Sequence, residues 1–145
     1  MYKHLLVPID GSKLSLKAVA HSVELAKATG ARVTLLHVVP EYPMQVYAEG
    51  VSVGMVSRRD YAKAMKEEAT KLLDRTAAKA KGVEVATMQA TSNSPWEAIL
   101  AGAKKAKADT IVMASHGRRG LASLLLGSET TKVLTHSKLP VLVVR

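Results

Sequence analysis

Cysteine is absent from the 145 residues. No disulfide framework, zinc knuckle or thiol chemistry is open to such a chain. Phenylalanine is absent too, and the aromatic side chains are one Trp and four Tyr. Any core must therefore be built from Val, Leu, Ile, Ala and Met. No apolar run approaches the ~20 residues that span a bilayer. Met1-Tyr2-Lys3-His4 leads straight into a strand-like run, without the apolar stretch of a signal peptide. A cytoplasmic protein without a membrane partner is expected. Negative charge is scarce: 12 Asp+Glu against 21 Lys+Arg leave a formal charge of +9. That excess favours anionic partners or is a solvated basic surface. The basic residues are spread over several helical segments, and the few Tyr do not interleave with them as a stacking platform requires. Nucleic acid is disfavoured, whereas a small anion such as a nucleotide fits.

What remains is ordinary globular composition, 48% hydrophobic and 23% charged, at a length that predicts one domain over residues 1–145. Short β-branched runs alternate with longer helical stretches. Strands are expected at His4–Ile9, Arg32–Val38, Val83–Ala90, Asp109–Ala114 and Pro140–Arg145. Helices are expected at Ser12–Thr29, with Leu16, Val19, Ala20 and Val23 on the buried face, and at Arg58–Lys81. In the second, Tyr61, Met65, Ala69, Leu72 and Thr76 form a stripe and Glu67 pairs with Lys71. Gly30 and Gly82 serve as their stops. Ser94-Pro95-Trp96-Glu97 has the form of a capping box. A last helix runs from Ser128 to His136. This βα alternation, with strands too apolar to be half exposed, predicts an α/β fold: a parallel sheet with helices on both faces. Pro40–Ser57 is a connection of about 18 residues without periodicity, a length usually functional.

Ligands of open parallel sheets bind beyond the carboxyl ends of the strands, where strand order reverses. Two strand ends are rich in small and acidic residues: Pro8-Ile9-Asp10-Gly11-Ser12 and Ala114-Ser115-His116-Gly117. The second continues through Arg118 and Arg119 to Gly127-Ser128 at a helix start. Glycines allow close backbone approach. The helix start offers unpaired N–H groups, a hydroxyl and the positive end of the dipole, and the arginines add positive charge. Together these are the parts of a phosphate site. The chain has neither a GxxxxGK[ST] loop nor a GxGxxG after a strand.

With these motifs in hand, LLVPIDGS, LLHVV, MASHGRRG, LLLGS and PVLVVR, the chain resembles the universal stress protein family over nearly its whole length. The ATP-binding branch of that family carries Gly, two residues, Gly, nine residues, then Gly and Ser or Thr. Gly117, nine residues and Gly127-Ser128 match, and Ala114 stands where the first glycine would be. The resemblance implies a Rossmann-like sheet of five parallel strands in the order 3-2-1-4-5. It implies ATP, ADP or AMP as ligand, with Mg or Mn where a metal joins the phosphates. Asp10 is then expected near the ribose and any metal, with Pro8 and Ile9 beside the base. The Val38 backbone is expected at the adenine edge and Met113 near the ribose. With His116 and Arg119 also expected among the nucleotide-binding residues, Gly117, Arg118, Gly127, Ser128 and Thr130 follow at the phosphates. Glu129 would offer its backbone N–H there and point its carboxylate outward. The resemblance also implies that Val141–Val144 is a sheet edge. A bare apolar edge invites pairing, so a homodimer through this strand is expected.

Three functions follow: a nucleotide-dependent regulatory module, a slow Mg-dependent ATPase or phosphotransferase, and a dimeric interaction protein whose nucleotide site is closed at Ala114. A Ser12-His116-Asp10 hydrolase lacks the GxSxG elbow. A phosphoacceptor receiver domain would need an Asp at the end of the third strand, where Ala90-Thr91-Ser92-Asn93 stands. The histidines show no metal spacing. His4 and His37 read as structural residues, and His136 suits a helix C-terminus. Gly127→Val is expected to abolish nucleotide binding while leaving the fold intact.

Overall fold

The computed structural model describes residues 1–43, 56–117 and 126–145. Among these residues, strands and helices alternate. They are β1 His4–Pro8, α1 Lys13–Thr29, β2 Arg32–Val39, α2 Arg58–Ala77, β3 Val85–Thr91, α3 Pro95–Ala106, β4 Thr110–Ala114, α4 Ser128–His136 and β5 Val141–Val144. The strands form one sheet in the order β3-β2-β1-β4-β5, and every pairing is parallel. The expected order and class are those observed.

The two-residue period of a strand divides the core into two layers. Leu5, Val7 and Ile9 join Val33, Leu35, Val112 and Ala114 under α1 and α2, against Val19, Val23, Leu72 and Leu73. Leu6, Leu36, Ile111 and Met113 point to the other face, against Ile99 and Ala103 of α3 and Val133 of α4. Full coverage holds for β4 and nearly for β1, and fails at the sheet edges. Most of β3 is half-buried or exposed, and Leu142 of β5 is 44% exposed. An edge strand has a neighbour on one side only, so its flanks reach solvent whatever its composition.

The inward face of α1 differs from the expected one. Ala20 is exposed, while Ser15, Ala18 and Ser22 are buried with Val19 and Val23. Two of these are polar, and each is satisfied within its own helix. Ser15 Oγ donates to Ser12 O at 3.0 Å and Ser22 Oγ to Ala18 O at 2.7 Å. The α2 stripe stands as expected, with Leu73 added, but the helix stops at Ala77 and not at Lys81. The N–H groups of Lys79 and Ala80 bond three residues back, to Thr76 O and Ala77 O, which tightens the chain before Gly82. Gly82 then turns it with φ +83°, but the helix has already ended, with Ala78 as its C-cap, so Gly82 is not its stop. Glu67 and Lys71 do not form the expected ion pair among the described residues.

The described ends of the long connection are drawn together. Tyr42 donates to Val56 O at 2.8 Å, and its ring meets that of Tyr61 edge-on at 5.4 Å. Residues 44–55 lie outside the described residues.

Candidate functional site

From β1 the chain steps outward through β2 to β3, then crosses back to place β4 on the far side of β1. The order thus reverses between β1 and β4, and a crevice opens above their carboxyl ends. An apolar recess of about 230 Å³ lies there, walled by Ile9, Leu36, Val38, Ile99 and Met113. It shares Asp10, His37, His116 and Gly117 with a broader cleft of about 1040 Å³ that extends to Gly127 and Ser128. Size and an apolar floor with few polar groups suit a small-molecule site.

Most of the expected residues converge here. Asp10 follows β1, and its Oδ1 accepts the Ser12 N–H at 2.9 Å. The cap of α1 is Ser12 itself, which accepts from Ser15 N–H at 3.1 Å. Asp10 therefore does not cap the helix; it is held in a turn beside it. Its Oδ2 is so close to Gly117 that a Cβ there would sit 2.7 Å away. Pro8 and Ile9 line the recess, as do Val38 and Met113. His37 bonds through Nδ1 to Ile9 O at 2.8 Å and ties the ends of β1 and β2 together. His116 lines the cleft, with its Nδ1 3.2 Å from Ser115 Oγ.

Ala114 is the last residue of β4, paired with Val144. Lys107 is the single non-glycine residue of positive φ among the described residues, so Ala114 needs no left-handed backbone. The Ala114 methyl is buried in the core layer under α1, at the edge of the recess. Thr130 is buried, and its hydroxyl donates to Ala114 O at 3.0 Å. That hydroxyl fastens α4 to β4.

Gly127 begins α4 with φ −62° and ψ 153°, ordinary extended values. Its need for glycine is spatial. A Cβ would meet His116 Cα at 3.0 Å and Ser115 O at 3.2 Å, while Gly127 N–H donates to Ser115 O at 2.7 Å. Both neighbours are backbone, so Gly127→Val would disturb the seating of α4 as well as any ligand. A loss of stability is therefore expected beside the loss of binding. Among the described residues no side chain caps α4, because Gly127 has none to offer. Gly127, Ser128, Glu129 and Thr130 of this helix start line the cleft, at the positive end of the helix dipole.

Two expectations fail together at α3. Ser94 makes no side-chain cap. Its N–H is taken by Ser92 Oγ at 3.0 Å, which also donates to Ser94 O. The Trp96 N–H is accepted instead by Glu129 Oε2 at 2.8 Å. Glu129 does not point outward. It bridges from α4 to α3, and its Oε1 accepts from Lys132 at 3.2 Å. Arg118 and Arg119 lie outside the described residues.

Leu36, Pro95 and Ile99 in the recess, and Lys71 and Arg75 along the cleft, are lining residues that the sequence reading does not place at the site. The β2 alternation could have found Leu36, since it sits two positions before Val38. Pro95 and Ile99 reach the site only because α3 crosses over the sheet. No three His, Asp or Glu among the described residues converge as a metal cluster, so Asp10 contributes one carboxylate there. A hydrated Mg ion needs little more than one carboxylate when phosphate oxygens supply the rest.

The displaced pKa values lie at the opposite end of the sheet. Burial lowers that of His4, with Arg32 adding to the effect. For Asp109 burial acts to raise the pKa, but the backbone N–H groups of Lys3 and His4 outweigh it and hold the carboxyl below its ordinary range. No helix among the described residues is long and apolar enough to cross a membrane.

The model of the universal stress protein family matches residues 1–145. The chain is 36% identical over 148 residues to universal stress protein MJ0531 of Methanocaldococcus jannaschii, covering 100% of this chain and 83% of that one. Among solved structures, protein MJ0577 of the same organism superposes with a TM-score of 0.83 at 30% identity, covering 99% of this chain and 96% of the other. A universal stress protein solved in complex with cAMP gives a TM-score of 0.71 at 26% identity, over 99% and 97%.

Proposed function

This chain belongs to the universal stress protein family, and from that premise we propose that it is an adenine-nucleotide-binding regulatory module. One observation carries the reading: an apolar recess at the reversal of strand order opens onto a helix start that no described side chain caps. The recess takes the base between Pro8, Ile9 and the Val38 backbone, with the ribose against Met113 and Asp10. The phosphates lie toward Gly117, Gly127 and Ser128, where first-turn N–H groups and the Ser128 hydroxyl donate. The relative holding cAMP in the same fold supports this choice of ligand. Asp10 would hold a Mg or Mn ion together with the phosphates, and the ion would neutralise their charge.

Regulation is favoured over fast turnover, since among the described residues no side chain stands out as a strong general base poised for an attacking water. Isothermal titration with ATP, ADP and AMP, together with mass spectrometry of nucleotide released on denaturation, tests the site. Binding of any one of them, in competition with the others, is expected. No heat and no competition would overturn the reading in favour of a non-nucleotide interaction protein. Phosphate release that depends on Mg and vanishes in Asp10→Asn would instead favour the ATPase.

The module is proposed to work as a homodimer. The strand β5 is at the sheet edge with Leu142 exposed, and pairing about a two-fold axis would cover it. Light scattering at micromolar concentration should give the dimer mass. A monomer mass would remove this part of the proposal.

A further inference from the structure

Glu129 is the second residue of α4, two positions after Gly127. An acidic residue in a first helical turn usually answers the helix dipole and is free to move into solvent. Here both carboxylate oxygens are engaged, one by the Trp96 N–H at 2.8 Å and one by Lys132 at 3.2 Å. Swinging the side chain away would leave the start of α3 uncapped, because Ser94 does not cap it. The charge is therefore fixed, and it stands in the wall of both the recess and the cleft. Lys132 cancels it only in part: the pair is open to water, with the lysine side chain 49% and the Glu129 side chain 36% exposed, so water screens the attraction and tempers the charge as well.

Any phosphate drawn to the first-turn N–H groups of α4 meets this carboxylate. The repulsion grows with the charge the ligand brings near it. Resting on the nucleotide reading above, we infer that Glu129 is a specificity-determining residue that sets the phosphate number. It favours adenine nucleotides with a single phosphate group over the triphosphate. A divalent cation relieves the penalty for the triphosphate by cancelling part of its charge.

Glu129→Gln keeps an acceptor for the Trp96 N–H and nearly the same volume while removing the charge. Glu129→Asp keeps the charge but, being shorter, weakens the cap. Titration of ATP and AMP without divalent cation should show the preference for AMP over ATP reduced roughly three- to tenfold in Glu129→Gln. Glu129→Asp should keep the wild-type preference. Fluorescence of Trp96, whose ring lies against His136 at 4.5 Å, reports whether the start of α3 is preserved. An equal change for ATP and AMP in Glu129→Gln, or no change, would overturn the inference. So would a Glu129→Asp variant that behaves like Glu129→Gln, since the effect would then belong to the cap. Failure of the wild type and Glu129→Gln to bind either nucleotide would instead overturn the nucleotide site itself.

Discussion

At the lower end of the sheet, where the strands begin, Asp109 and His4 are turned onto the protein itself. At the upper end, Asp10 and His116 line a cleft. The residue types are the same and their employment is opposite. Asp109 Oδ2 accepts the Lys3 N–H at 2.8 Å and the His4 N–H at 3.3 Å, and His4 Nε2 lies 2.7 Å from Thr34 Oγ1. These bonds tie together the beginnings of β1, β2 and β4. The displaced pKa values fall there, on structural groups. Perturbed titration often marks a functional site; here it marks a buried histidine and a carboxylate held by backbone N–H groups. What marks the candidate site is a helix start that no described side chain caps, together with the close contacts at Gly117 and Gly127.

Changes at the upper end should therefore cost ligand binding first, and changes at the lower end stability alone. The largest effect is expected from Gly127→Val. Its side chain meets backbone on two sides, so nucleotide affinity should fall more than about a hundredfold, and stability by about 1–3 kcal/mol. Titration and thermal melts read the two separately. Gly117→Ala meets only the end of the Asp10 side chain and should cost binding less. Undiminished affinity in Gly127→Val would place the phosphates elsewhere and dissolve the contrast.

The smaller effect belongs to His4. Its folded pKa lies below the ordinary value of about 6.5. The unfolded chain thus takes the proton first. The stability tied to neutral His4 is fully present above about pH 6.5 and is lost as pH falls from there toward the folded value. The melting temperature should drop between about pH 7.5 and pH 5. In His4→Gln that drop should shrink, with nucleotide affinity unchanged. An unaltered pH slope would show that His4 does not govern it, and altered affinity would show that the two ends are coupled.

The readings that hold best rest on local chemistry. α4 spans Ser128–His136 as read, because a Gly-Ser start and a terminal histidine both lie within its own turns. The stripe of α2 follows from its period. The misreadings share one cause. Ser94-Pro95-Trp96-Glu97 has the local form of a capping box, but Ser92 holds the Ser94 backbone in another geometry. The acceptor for Trp96 then comes from Glu129, 33 residues away. The role of Thr130 is likewise set by a carbonyl 16 residues earlier, at Ala114. No local pattern encodes a partner on another element.

By itself the sequence determined the class of fold, the order of its elements and the segment where glycines crowd a helix start. Period, β-branching and turn residues act within a few positions, so they can be read along the chain. Tertiary structure alone decided that the Thr130 hydroxyl of α4 meets the Ala114 carbonyl at the end of β4. It decided that Gly127 is needed by its own chain's backbone as well as by any ligand. It also turned the Glu129 carboxylate into a fixed wall of the cleft. Each of these depends on how closely α3, α4 and the end of β4 approach one another, and that distance is set only when the two layers pack on the sheet.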